Sequence, residues 1–251
     1  MIYKNIQHQL RKKNFIFKNF RVLDSTMEKT KELIDSYKSN FLVLSDEQTK
    51  GKGRRGSVWY SPSGNIYTSL GFKNLIDVKN HFIFNAATVL SISESIDSIC
   101  NLNSNIKWPN DILVNGKKIS GVIVELIKSK NMNYIILGIG INVEKSPNIL
   151  NYQTTCTKEL NSKINKIEIL ELFLKNFFNY IYNIYKHQYK YILDKYRNKL
   201  LYLNKKIYLE ENNISFLEGK FIDINLDGSM VININGVRKN LYSARILNDN
   251  Y

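Results

Sequence analysis

The sequence of 251 residues predicts an α+β fold in which a mixed, largely antiparallel sheet is packed by helices and followed by a small C-terminal β-barrel. Three observations carry this. Apolar residues recur at helical spacing over residues 81–99, where Ala86, Ala87 and Ser91 are small enough for close packing on a sheet. Short strand-like runs follow in quick succession, and Asn115 with Gly116 supplies the pair that a two-residue hairpin prefers. From Lys206 onward the pattern changes to short β-segments broken at 211–213, 225–228 and 235–236, the spacing of a small closed barrel. Single cores are typically built from about 100–200 residues, so one large domain over residues 1–203 and a satellite over 204–251 account for the chain.

The elements follow in order. Residues 20–24 alternate weakly as a strand. Ser25 with Glu28 three positions later has the spacing of a capping box, which starts a helix running to about Tyr37. FLVLS (41–45) is apolar enough for a buried strand, and the polar, glycine-punctuated stretch 48–57 after it is a loop. Trp59 and Tyr60 restart a strand, SPSGN (61–65) turns, and 66–72 returns. After the central helix, strands are expected at 106–108, 112–114, 120–127 and 134–143. A second amphipathic helix covers 166–187 and continues after a break over 191–203.

Hydrophobic content of 43%, charged content of 23% and only 3 Pro and 12 Gly describe a chain folded nearly throughout. The net charge of +14 raises the question of nucleic acid, but the lysines lie on almost every predicted solvent face. Charge spread in this way speaks to solubility and association, whereas phosphate binding needs clustered cations. Before Phe20 the sequence is too short for a helix-turn-helix. Cys100 and Cys156 lie far apart with no CxxC spacing, which argues against zinc and against a disulfide framework and fits a reducing cytoplasm. No stretch approaches the ~20 apolar residues of a membrane span, so neither export nor membrane insertion is expected.

Two segments carry chemistry. In Gly51-Lys52-Gly53-Arg54-Arg55-Gly56, glycines let the backbone approach a ligand while three cations offer charge-assisted bonds to phosphate or carboxylate oxygens. The Walker pattern GxxxxGK[ST] is absent, and a plain surface loop is the competing reading. In Lys107-Trp108-Pro109-Asn110-Asp111, proline pushes Trp108 to extended geometry at a strand end, and the hairpin that follows returns Lys118 toward Asp111. Here the competing reading is an ordinary turn with an exposed lysine.

The runs DSTMEKT, DEQTKGKGRRGSVWYSPSGNIYTSL, IKWPNDILVNGKKISGVIVEL and ILGIGINV, in this order, closely resemble the biotin–protein ligase family, and the final β-segment is similar to that family's C-terminal barrel. The resemblance implies a class II synthetase-like catalytic domain and two steps at one site. Biotin is activated by ATP as biotinyl-5′-AMP, with Mg²⁺ bound mostly to the triphosphate, and is then passed to a lysine of a biotin carboxyl carrier protein. Carried over by position, it implies that Ser25, Thr26 and Met27 line the biotin ring pocket and that Gln48 meets the ureido group. Gly51, Lys52, Gly53 and Arg54 match the loop closing over biotin and its adenylate, with Arg55 and Gly56 as its continuation. Lys118 matches a lysine between the biotin carboxylate and the α-phosphate. Asn110 and Asp111 match positions near the phosphates, where Asp111 holds either a metal or the incoming lysine.

The resemblance further implies that Gly121 and Gly140 allow close ligand approach, that Asn142 lies on the adenine side, and that Arg245 in LYSARIL faces the nucleotide. Catalysis then falls to Lys118, Arg54 and Asp111. Trp59 and Trp108 are both candidates for stacking on a cofactor, with a core role favoured for Trp108. The sequence departs from the family where Met27 replaces a frequently polar residue and Lys52 a common arginine, and residues 144–165 show no motif to carry over. The expected enzyme is cytoplasmic, acts without nucleic acid or membrane, and is a monomer or homodimer. Two other readings stay open: a lipoate or octanoate ligase or transferase on a related scaffold, and a basic nucleic-acid-binding module.

Overall fold

The computed structural model describes residues 2–147, 152–161, 163–211 and 215–247. Helix α1 (Lys4–Arg11) leads into strand β1 (Phe15–Leu23), helix α2 (Thr26–Tyr37), and strands β2 (Asn40–Gln48) and β3 (Ile66–Lys73). The long helix α3 (Phe82–Cys100) precedes strands β4 (Asn105–Lys107), β5 (Asp111–Val114), β6 (Lys117–Ser129) and β7 (Met132–Ile141). Helices α4 (Thr157–Leu160), α5 (Lys166–Tyr185) and α6 (Tyr189–Lys199) come next, and strands β8 (Lys206–Glu211), β9 (Ser215–Ile224), β10 (Met230–Ile234), β11 (Val237–Leu241) and β12 (Arg245–Ile246) finish the described chain.

The first seven strands form one sheet in the order β1-β2-β3-β7-β6-β5-β4. Only β1 and β2 run parallel, and every other neighbouring pair is antiparallel, so the expected mixed, largely antiparallel sheet is what forms. The first four residues of FLVLS are apolar, and all five are buried, because β2 is covered on both faces. Phe41 and Val43 pack with Leu33 and Ile34 of α2, while Leu42 and Leu44 join the large core beneath α3 and α5. Helix α3 is buried on nearly all sides, including Ala86, Ala87 and Ser91.

Several expectations need correction. The sheet begins earlier than residue 20: α1 buries Ile6 and Leu10, one helical turn apart, and β1 starts at Phe15. Trp59 and Tyr60 are not a strand, because the Trp59 N–H is taken by the Gly51 carbonyl inside the loop; the sole ladder contact there is an isolated bridge between Lys52 and Val58. Nor is there a closed C-terminal barrel among the described residues. The five strands form an open sheet, β11-β10-β9-β8-β12. Its last strand is two residues long and pairs with β8 alone, and β11 turns most of its residues to solvent, so nothing joins the two edges. Of the break expected at 211–213, residues 212 and 213 lie outside the described residues, as do 148–151 and 162 of the 144–165 segment. Phe221, Ile224, Met230 and Ile232 of the small sheet belong to the same apolar core as α3 and α6.

Candidate active site

A cleft of about 1350 Å³ opens over the face of the large sheet that α2 leaves uncovered. Its floor explains the spacing in ILGIGINV. Along β7, Ile135, Leu137, Ile139 and Ile141 point into the main core, while Tyr134 and Ile136 on the other face pack beneath α2. The next two positions on that face are Gly138 and Gly140, both in the cleft lining. A side-chain carbon at Gly138 would strike the Met27 sulfur, and one at Gly140 the Trp59 indole. Bare backbone there lets Met27 and Trp59 lie flat on the sheet.

At the start of α2 a polar network is set into this otherwise apolar floor. The Gln48 carbonyl oxygen accepts from the Thr26 N–H at 2.9 Å and from the Thr26 hydroxyl at 3.1 Å, and the Gln48 amide donates to Ser61 Oγ at 3.0 Å. Ser69 Oγ lies 2.7 Å from the Thr26 hydroxyl. This arrangement displaces the expected capping box. Ser25 holds the N-cap position with extended backbone but its side chain makes no cap bond, and the first helical N–H, that of Thr26, is satisfied by the Gln48 side chain instead. Glu28 turns outward to Lys52 at 2.6 Å and Lys31 at 3.0 Å, and these ammonium groups hold its carboxyl below the usual range, Lys52 most strongly.

Cations gather beside the 107–111 turn. Arg54 donates to Asn110 Oδ1 at 3.0 Å, and Asn110 in turn donates to the Val122 carbonyl at 2.6 Å. Burial lowers the Arg54 guanidinium from its ordinary value, with Asp111 opposing, and a guanidinium remains charged in proteins. Lys118 pairs with Asp111 at 2.9 Å, and its ammonium lies 5.2 Å from the ring centres of both Trp59 and Tyr152. Tyr152 is brought there because 153–155 runs alongside Lys118, whose N–H donates to the Gln153 carbonyl. Arg55 donates to Ser243 Oγ, and Arg245 on β12 lies 3.9 Å from Glu210.

The cleft therefore brings together Ser25, Thr26, Met27, Gln48, Lys52, Gly53, Arg54, Arg55, Asn110, Asp111, Lys118, Gly121 and Arg245. It does not include Gly51 or Asn142. Gly51 is a packing glycine, since a side chain there would meet the Trp59 carbonyl and Ser61 Oγ. Asn142 is 1% exposed; its amide donates to the Thr155 carbonyl, and its Oδ1 is buried with no partner among the described residues, on a small void shared with Trp59, Lys118 and Tyr152. Trp108 is a core residue, as expected. Sequence reasoning missed Ser61, Ser69 and Tyr152. Period-two alternation would have found Ser69, because Gly71 on the same face of β3 touches Thr30 and Ile34 of α2. For Tyr152 no local signal exists.

A small apolar floor with a fixed donor–acceptor set, opening onto a wall rich in lysine and arginine, suits an enzyme that joins a carboxylic acid to a polyanion. Comparison with known proteins makes the class specific. Residues 19–142 match the model of the biotin/lipoate A/B protein ligase family. The biotin protein ligase of Aquifex aeolicus, solved with biotin and ATP, is 30% identical, superposes with a TM-score of 0.76, and aligns over 93% of this chain and 98% of its own. The bifunctional ligase/repressor BirA of Bacillus subtilis is 28% identical over 233 residues, 90% of this chain and 71% of its own length. The biotin–[acetyl-CoA-carboxylase] ligase of Paracoccus denitrificans is 30% identical over 127 residues, 49% of this chain and 53% of its own. The chain belongs to the biotin–protein ligase family.

Proposed function

We propose that this chain is an ATP-dependent biotin–protein ligase that forms biotinyl-5′-AMP and then transfers biotin to a specific lysine of a biotin carboxyl carrier protein. The observation that carries this is the sharing of one cleft by the Thr26–Gln48 network and the Arg54 and Lys118 cations. A ureido ring offers two N–H donors and one carbonyl acceptor, and the hydroxyls of Ser25 and Thr26 with the Gln48 amide, held from behind by Ser61 and Ser69, match that mixture over the Met27 and Gly138 floor.

In the first step a biotin carboxylate oxygen bonds to the α-phosphorus as the bond from that phosphorus to the bridging oxygen breaks, and pyrophosphate leaves. The ammonium of Lys118 and the guanidinium of Arg54 offset repulsion between the two anions and stabilise the charge gathered on phosphorus. In the second step the neutral amine of the carrier lysine bonds to the acyl carbon, loses a proton, and AMP leaves with the electron pair of the broken anhydride bond. Trp59 and the 51–56 loop exclude water that would otherwise consume the anhydride. The orphaned Oδ1 of Asn142 suits the amino group of an adenine.

Among the described residues no cluster of three His, Cys, Asp or Glu side chains is placed to hold a metal. The donor set beside the cations, Asp111 with Asn110, fits Mg²⁺ that arrives on the triphosphate and takes one carboxylate from the protein. Such an ion supplies charge neutralisation at the phosphates. The same reading divides the chain into a catalytic unit over 1–203 and a C-terminal unit over 204–251, supported by the separate sheet that starts at β8. It also places the enzyme in the cytoplasm, which suits two free cysteines and the lack, among the described residues, of a helix long and apolar enough to cross a membrane.

The test is AMP release from ATP and apo-carrier with biotin, with lipoic acid, or with neither acid. We expect release that requires biotin. Indifference to biotin ends the proposal, and a preference for lipoic acid moves the substrate to the other branch of the family.

A further inference from the structure

The WPND turn is the point where the two sheets, the loop and two helices meet, because each of its four residues holds a different part of the molecule. The Trp108 indole N–H donates to the Gly228 carbonyl at 2.9 Å, a buried bond to the β9–β10 turn of the C-terminal sheet. The Pro109 carbonyl accepts from Asn85 of α3 at 2.7 Å and from the Tyr196 hydroxyl of α6 at 2.8 Å. Asn110 accepts from Arg54 of the loop, and Asp111 pairs with Lys118 of β6.

The joint is reinforced from outside the turn. Gly228 has φ +87°, and its backbone lies so close to the Phe82 ring that a side chain would collide with it. Phe82 meets Tyr196 edge to face at 5.5 Å. Arg197 donates to Asp223 at 2.6 Å and to the Ile224 carbonyl at 2.7 Å, which ties α6 to the end of β9. The C-terminal sheet so docked contributes Ala244, Arg245 and Ile246 to the cleft wall, and Ser243 accepts from Arg55 of the loop.

We infer that Trp108 is a positioning residue: its indole N–H sets the C-terminal sheet in register with the Asn110–Asp111 corner, so that the nucleotide side of the cleft is assembled by two sheets held together at Gly228. The hydrogen bonds of Thr26 and Gln48 run to each other, to Ser61 and to Ser69 and not to the turn itself, so loosening of the joint is expected to reach ATP more than biotin. The inference rests on the ligase reading above for its substrates, and on the fold alone for its mechanics.

The test uses Trp108→Phe, which keeps a ring in the core and removes the donor, and Arg197→Gln, which loosens the same joint from α6 without opening the core. A buried neutral hydrogen bond is worth about 1 kcal/mol, a factor of about five in an equilibrium constant. We expect each variant to raise KM for ATP about three- to tenfold with biotin affinity, measured by calorimetry, changed less than twofold. Hydrogen exchange on the ligand-free full chain should rise over 220–247 and 108–111 and remain unchanged over 26–48. The exchange arm needs no substrate, so failure of the ligase reading is separable from failure of the joint. Equal losses for ATP and biotin, or unchanged exchange over 220–247 in both variants, overturn the inference.

Discussion

In the proposed reaction Lys118 is the residue on which the chemistry turns, whereas its surroundings contribute little to stability. Its side chain is 16% exposed, faces one carboxylate and lies over two aromatic rings. An ion pair this near the surface is worth about 0–1 kcal/mol, and exposed cation–π contacts about 0.5–1 kcal/mol each. In the proposed role, facing the phosphorus where charge develops, the same ammonium would be worth on the order of 10²–10³ in rate. Lys118→Ala is therefore expected to lower single-turnover formation of the adenylate by about that factor while the melting temperature moves only a few degrees. A near-normal rate would remove Lys118 from the site. Cys100 illustrates the opposite case, a reactive group made inert: burial first, then Asp97, pushes its thiol up to about 11. Free cysteine ionises near pH 8.5, so alkylation of the folded chain at pH 8 is expected to run more than tenfold slower than in urea and to accelerate steadily up to about pH 11. An alkylation rate at pH 8 matching that of the unfolded chain would show that the thiol is not shielded.

At the scale of elements, the β5–β6 hairpin shows why this part of the site is legible in the sequence. Asn115 and Gly116 both adopt positive φ, 51° and 75°, so the turn type, and with it the pairing of Val114 with Lys117 and Leu113 with Lys118, follows from two residue identities; a register shift beyond Leu113 then sets Gly121 opposite Asp111. Gly116→Ala is expected to cost about 1 kcal/mol because its backbone enters the left-handed region, and to weaken the Lys118–Asp111 pairing. Urea unfolding checks the first, and the adenylation rate, lowered though less than in Lys118→Ala, checks the second. The pattern of ILGIGINV is equally readable, with isoleucines on the core face and glycines on the cleft floor. What escaped depends on long-range partners. Trp59 looks like a strand residue until Gly140 is known to offer it a bare floor, the start of α2 looks self-capped until Gln48 from a distant strand is seen to take the Thr26 N–H, and Phe15 begins a strand only because β2 lies beside it. The barrel expectation failed for a related reason: turn spacing reports how many strands there are, whereas closure depends on whether a strand as short as β12 has a second neighbour.

For the whole molecule, the ligand completes what the fold leaves unbalanced. The chain carries a net charge of +14, and Lys52, Arg54, Arg55, Lys118 and Arg245 all face one cleft, where Asp111 lines the wall beside Lys118 while Glu28 and Glu210 reach Lys52 and Arg245 from outside the lining. Ligand-free, these cations repel one another across a cleft walled by two sheets and a loop, so a polyanion is held by the native state and not by the unfolded chain. A ligand at about 100 times its Kd adds about 2.7 kcal/mol by mass action. For a chain of this size each kcal/mol moves the melting temperature by about 2–4 °C. Biotin with a non-reactive ATP analogue should then give the sum of two such shifts, because the two molecules bind and leave independently. Biotin with ATP itself should give more than that sum, since once the two halves are joined as an adenylate they can leave only together. Thermal melts with each ligand singly and in pairs measure this directly. If the ATP pair merely matches the analogue pair, no joined intermediate is retained, and the sharing of one cleft by the Gln48 network and the Lys118 ammonium loses its meaning.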